Sequence, residues 1–237
     1  MTAFMDILLS LMTLTLLEII LGVDNLVFLA IISQRLPKGQ QQSARRLGLT
    51  LAWITRLLLL ASAVWLTHLT SPLFSFWEFA FSGRDLFMLL GGLFLIIKAT
   101  QEIHLELEAE IQQPQSKTLK QHFFFVICQI ALLDIIFSLD SVLTAIGLTQ
   151  RYWVMAIAIT IAIITMIFTS EVLSAFIERH PTVKMLALSF LLLIGTVLIA
   201  DGFSFYIPRA YIYTTMGFSL FVEFLNITKR HRSKNTV

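Results

Sequence analysis

The chain has 237 residues, 57% of them hydrophobic and only 14% charged, with a mean hydropathy of +0.83. A composition this apolar excludes an ordinary soluble domain, because burying it would leave almost no polar chain to face water. The net charge of +2 excludes little by itself, and the single cysteine, Cys128, excludes a disulfide framework and is expected to pack within its helix.

Apolar stretches recur over residues 7–33, 48–69, 86–98, 123–148, 152–176, 185–200 and 210–226. A spanning helix needs roughly 20 apolar residues, so most qualify, while the third and sixth must borrow flanking residues or sit as broken helices. The expected fold is all-α and polytopic, with about seven transmembrane helices in one integral membrane domain over residues 1–237. The opening MTAFMDILLS has no basic leader, and Glu18 and Asp24 interrupt the apolar run behind it, so a cleavable signal peptide is not expected.

The first stretch contains LLEIILGVDNLVFLA, where Glu18, Asp24 and Asn25 stand among apolar residues. Spacings of four and three put Glu18, Gly22 and Asn25 on one helical face. Asp24, six residues after Glu18, points about 120° away in a regular helix, so both acids reach one ion only if the helix unwinds, and Gly22 is a permissive place for that. The second stretch carries Arg56 near its middle. An arginine there either snorkels to an interface or balances buried carboxylates, and its central depth favours the second.

After the third stretch, residues 101–121 hold Glu102, Glu106, Glu108 and Glu110, then QQPQSK. This interval reads as a cytoplasmic linker between halves 1–100 and 122–202, its glutamates a solvated face. The fourth stretch then repeats the first. At an offset of 116, LLEIILGVDNLVF overlies LLDIIFSLDSVLT, matching Glu18 with Asp134, Gly22 with Ser138, Asp24 with Asp140 and Asn25 with Ser141. Apolar matches between two membrane helices are cheap, but two acids in register are not. A weaker match lays GGLFLIIKATQE on FLLLIGTVLIAD, bringing Glu102 over Asp201. Halves of three helices each run through the membrane in opposite directions, the inverted repeat of many secondary transporters, with a final helix at 210–226 and a basic tail at 227–237.

Basic residues set the orientation. Thirteen fall in the intervals that share a side with the tail, from Arg35, Lys38, Arg45 and Arg46 to Lys229, while the other side receives only Arg84, Arg151 and Arg209. That asymmetry places the N-terminus outside and the C-terminus in the cytoplasm. A carboxylate in mid-membrane costs roughly 2.5–3.5 kcal/mol on insertion scales, so four of them need a partner or a function. With Asn25, Ser138 and Ser141 they form an oxygen-rich set suited to hard or borderline divalent ions such as Mn, Mg or Ca. Structural roles stay open for each, as protonated acids, interhelical hydrogen bonders or packing residues. Glu171, Asp201 and Glu223 lie near helix ends or edges; for Glu171 and Asp201 interfacial placement competes with a part in an ion path, while Glu223, near the cytoplasmic tail, reads as structural.

Rival functions meet specific obstacles. A retinal pigment needs a lysine in its last helix, and residues 210–226 contain none. A haem protein needs intramembrane histidines, yet His68, His104, His122, His180 and His231 fall in loops or at helix ends. An intramembrane aspartate hydrolase has no use for opposed halves, and the short basic tail lacks the interleaved aromatics of a nucleic-acid binder. No enzyme and no resident cofactor are expected; a membrane factor assisting other membrane or secreted proteins remains the alternative to a transporter.

EIILGVDN and DIIFSLDS resemble the paired motifs of the TerC family of integral membrane proteins, which is grouped with LysE-like transporters. RRLGL at 45–49, SGRDLFMLLGGLFLIIKATQEIH at 82–104 and SLFVEFLN at 219–226 extend the resemblance over nearly the whole chain. It implies a multi-pass protein of the bacterial cytoplasmic (inner) membrane that exports a divalent cation, manganese foremost. Carried over by position, the metal-binding carboxylates are Asp24 and Asp140, with Glu18 and Asp134 as neighbouring acids and Asn25 and Ser141 as adjacent polar partners. Larger relatives append cytoplasmic domains of the CBS type; none follows the final helix here, so regulation by one is not expected.

Overall fold

A computed structural model describes residues 2–62, 72–76, 79–111, 122–148 and 151–234. Among them are seven helices: α1 (Thr2–Ser33), α2 (Lys38–Ala61), α3 (Gly83–Ile111), α4 (Phe123–Leu148), α5 (Tyr152–Arg179), α6 (Pro181–Gly202) and α7 (Arg209–Lys234). Four of these, α1, α3, α5 and α6, contain stretches long and apolar enough to cross a membrane by length and composition, and α4 adds a shorter apolar run over Phe123–Leu139. The fold is thus all-α and polytopic with several long apolar helices.

Prolines and short polar turns punctuate the chain where the helices stop. Pro37 caps the start of α2, its fixed φ of −53° sitting just outside the helix, and Pro181 opens α6 where its missing N–H costs no hydrogen bond. The third and sixth stretches do borrow flanking residues, becoming helices of 29 and 22 residues. Residues 101–111, read above as linker, are the end of α3, and α7 extends over most of the basic tail. A two-stranded antiparallel hairpin, β1 (Pro72–Phe76) and β2 (Phe79–Ser82), was not anticipated. The alternation FSF and FAF was its signal, hidden within a chain whose hydrophobic pattern is otherwise helical.

The packing follows a repeating scheme. Helix α1 lies on α5 as α4 lies on α2, while α1 meets α4, α2 meets α5 and α3 meets α6. The shared core is built from Leu26 and Leu29 of α1, Ala52 of α2, Leu133 of α4 and Ala158 and Ala162 of α5, each nearly inaccessible. Outward faces carry Leu58, Leu90, Phe168 and Phe218, each more than 60% exposed. Large apolar groups at that exposure are stable against lipid tails but not against water. Cys128 joins them on the exposed face of α4 rather than packing inside.

Helices α3 and α6 approach backbone to backbone. A Cβ added at Gly92 would lie 2.6 Å from the Gly195 carbonyl oxygen, and one at Gly195 would lie 2.9 Å from the Gly92 oxygen. Small residues at a crossing allow the dispersion contacts that hold membrane helices together when no hydrophobic force acts between them.

Polar contacts gather at the end of the bundle where α1, α3 and α5 finish and α2 and α6 begin. Arg35 pairs with the buried Glu102, Lys184 with Glu106, and Gln42 donates to Glu171 at 3.0 Å. Glu102 and Glu106 are therefore not the solvated face expected of them, because α3 continues past Lys98 and lays both against neighbouring helices.

Candidate functional site

Three helices bring their charged side chains to one point in the bundle. Arg56 of α2 lies between Glu18 of α1 and Asp134 of α4, and all three are buried, with relative exposures of 2%, 2% and 5%. Arg56 donates through Nη1 to Glu18 Oε2 at 2.7 Å and through Nη2 to Asp134 Oδ1 at 2.8 Å, with Nε reaching the same oxygen at 3.2 Å. Asp134 thus takes two arms of the guanidinium and Glu18 one. The planar fork matches a carboxylate in this way, and such charge-assisted bonds are among the strongest available to a side chain. Of the two sequence readings of Arg56, the counter-charge is the one observed. A snorkelling arginine would leave its head near an interface, whereas this one has no exposed surface to speak of.

The matched acids Glu18 and Asp134 are therefore joined through one cation. Trp53, three residues before Arg56, donates from Nε1 to Thr160 Oγ1 at 3.1 Å, tying α2 to α5 beside the triad.

Asn25 shares with Asp134 a cavity of about 20 Å³, closed by Phe28, Leu133 and Met166. Both polar atoms of the Asn25 amide are buried and have no hydrogen-bond partner among the described residues. The volume suffices for about one water, which needs the polar partners that these two side chains supply. Ser138 and Ser141 are buried with hydroxyls turned back to carbonyls of their own helix, Ile135 at 3.3 Å and Ser138 at 3.1 Å.

Asp24 faces elsewhere. It borders a cavity of about 170 Å³ whose other walls are apolar side chains of α1, α5, α6 and α7, and a smaller one shared with Ile136 and Phe137 of α4 and Tyr213 of α7. The reason is helical phase: α1 is continuous through Gly22, so Glu18 and Asp24 keep the divergent directions of a regular helix. The unwinding anticipated at Gly22 is absent. Its missing side chain instead admits Met166 of α5, whose Cε lies 2.1 Å from where a Cβ would stand. Asp140 belongs to α4, but its side chain lies outside the described residues. No group of three or more His, Cys, Asp or Glu close enough to hold a metal occurs among the described residues.

The sequence reading gave Arg45 no structural role, counting it toward orientation and as part of the RRLGL resemblance. It is 6% exposed, and its Nη1 lies 3.3 Å from Ser174 Oγ and 3.4 Å from Ser33 Oγ. Glu171 is exposed, and Glu223 accepts from Thr182, so neither enters the interior.

The family model for the integral membrane protein TerC family matches residues 4–236. The chain belongs to the TerC family. Its relatives include the UPF0053 inner membrane protein YgdQ of Escherichia coli, 51% identical over 225 residues that cover 95% of this chain and 94% of the relative. A UPF0053 protein of Haemophilus influenzae is 48% identical over 225 residues, with 95% of both chains covered. The E. coli UPF0053 protein YegH is 50% identical over 217 residues, 92% of this chain but only 41% of its own length. No solved structure matches the chain. This TerC member is a multi-pass protein of the bacterial inner membrane, as the apolar helices and the family require.

Proposed function

We propose that this TerC protein exports a divalent metal cation, manganese foremost, through carboxylates on α1 and α4 at the interface of two inverted halves, as a transporter rather than an enzyme. The observation that carries the reading is the meeting of Glu18 and Asp134 on one guanidinium, which sets LLEIILGVDN beside LLDIIFSLDS in the bundle interior. The packing supports it at the main crossings: α1 on α5 is answered by α4 on α2 and α1 on α6 by α4 on α3, while each of the mated pairs α1 with α4, α2 with α5 and α3 with α6 is in contact. About seven spans, with the N-terminus outside, complete the arrangement.

In this reading Asp24 and Asp140 bind the ion, and Asn25 and Ser141 supply adjacent polar atoms. Glu18 and Asp134 hold the two acid-bearing helices in register, their charge already balanced in part by Arg56. Oxygen donors favour Mn, Mg or Ca over thiolate-seeking ions. A dehydrated divalent ion needs anionic oxygen, so Asp24→Asn and Asp140→Asn should each lower Mn flux into sealed vesicles by about tenfold or more while preserving size. The two losses should fall short of multiplying, since both act on one ion. Wild-type flux in both folded variants overturns the site. Absence of Mn, Ca, Mg and Zn flux by the intact protein overturns the exporter and leaves the membrane factor.

Orientation has its own test. The polar end of the bundle carries Arg35, Lys38, Arg46 and Lys184, so it faces the cytoplasm together with the end of α7. Arg45 is too buried for a labelling probe, but Lys38 and Lys229 are exposed. Cysteines at those two positions, in a Cys128→Ala background, should escape a membrane-impermeant thiol reagent applied from outside and react after the membrane is opened. Labelling of either from outside reverses the topology.

A further inference from the structure

We propose that Arg56 is a tethered cation: it fills the place between Glu18 and Asp134 that a divalent ion can take, and the ion and the guanidinium compete for this carboxylate pair. Two carboxylates and one guanidinium, all buried, compensate each other incompletely, with one more acid than base at the point where α1, α2 and α4 meet. The carboxylates do not pair with separate bases; each contacts a different terminal nitrogen of the same planar group. Their oxygens therefore converge on a volume already occupied by positive charge, as ligand oxygens converge on a metal. A hard divalent cation is bound by such oxygens, and its greater charge would balance both acids where one guanidinium balances one.

A second observation adjoins Asp134, one of the two acids. The buried Asn25 amide has neither of its polar atoms hydrogen-bonded among the described residues, and it opens on the small cavity that Asp134 also lines. Its oxygen is a further hard ligand on the Asp134 side of the pair, within the cavity that the two residues share. The guanidinium itself bridges the two acids. It also lowers the pair's apparent affinity, because an ion binds only to the fraction of molecules in which the arginine has withdrawn. The site's part in export rests on the exporter reading above; its capacity to bind an ion does not.

The test measures equilibrium binding by the full chain in lipid nanodiscs, using Mn²⁺ with Ca²⁺ as competitor and K⁺ as control, so its outcome is independent of flux. Arg56→Gln removes the competing charge. The Arg56→Gln protein should bind one further Mn²⁺ per chain, half-saturated at a concentration at least about tenfold below that needed to load this pair in the wild-type protein. Adding Glu18→Gln and Asp134→Asn should abolish that gain, Ca²⁺ should displace the ion and K⁺ should not. An Arg56→Gln protein that folds only with Mn²⁺ or Ca²⁺ present, and loses that dependence with both acids neutralised, gives the same answer through stability. Unchanged Mn²⁺ binding, a gain that survives loss of both acids, or failure to fold at saturating Mn²⁺ and Ca²⁺ overturns the proposal.

Discussion

Arg56→Met, prepared without divalent ions, should lose most of its folded population, with a cost of about 3–5 kcal/mol in reversible unfolding. The substitution keeps an apolar chain of similar length and so leaves packing nearly intact. What it removes is the sole cation contacting Glu18 and Asp134 among the described residues, leaving two carboxylates at 2% and 5% exposure without compensation. Solvent cannot reach them, so the penalty is the desolvation of charge rather than the small value of a surface ion pair. The accompanying triple variant, Arg56→Met with Glu18→Gln and Asp134→Asn, should recover most of the loss, since it buries no charge at all. Thermal unfolding in detergent, followed by helical circular dichroism, reads both. Equal destabilisation of the single and triple variants would show that packing, not charge, accounts for the effect.

Gly92→Val is expected to disrupt the α3–α6 crossing just as severely, through a different force. The added Cβ meets the Gly195 carbonyl oxygen at 2.6 Å and the Ile199 backbone nitrogen at 3.0 Å, and neither can rotate aside. Relief requires the helices to separate along their contact, forfeiting dispersion that no hydrophobic effect replaces within lipid. A cost of about 3 kcal/mol, the upper part of the usual range for overpacking, is expected. Gly22→Ala provides the contrast. There the nearest atoms are Cε and Sδ of Met166, the far end of a flexible side chain, and the loss should be about 1 kcal/mol. Gly217→Ala, inside α7 with nothing within 4 Å, should cost nothing and gain up to about 1 kcal/mol through helix propensity. Unfolding midpoints of the three variants under one condition decide the order. Gly92→Val at wild-type stability would mean that α3 and α6 do not cross at these glycines.

Hydrophobicity made the membrane class legible, since the bilayer imposes a length and polarity on each helix that survive without tertiary information. The acid pairs were legible for a related reason: charge inside an apolar run is costly, so its recurrence at an offset of 116 stands out. Helical phase correctly separated Asp24 from Glu18, and the extra freedom assigned to Gly22 was the error. A glycine in a membrane helix serves close approach as readily as a break, and only the position of Met166 distinguishes them. The hairpin at 72–82 escaped because a few alternating residues weigh little against long helical patterns.

By itself, then, the sequence determined that this protein lives in a membrane as a polytopic helical protein, and that α1 and α4 carry one acidic pattern twice. These are properties of composition and spacing, which local physics reads residue by residue. Tertiary structure decided which charges meet. That Arg56 serves Glu18 and Asp134 together, that Asn25 opens on the cavity beside Asp134, and that Glu102 is buried against Arg35 all depend on the rotation of packed helices about their axes. That rotation is set by close packing summed over many weak contacts, and no single residue encodes it.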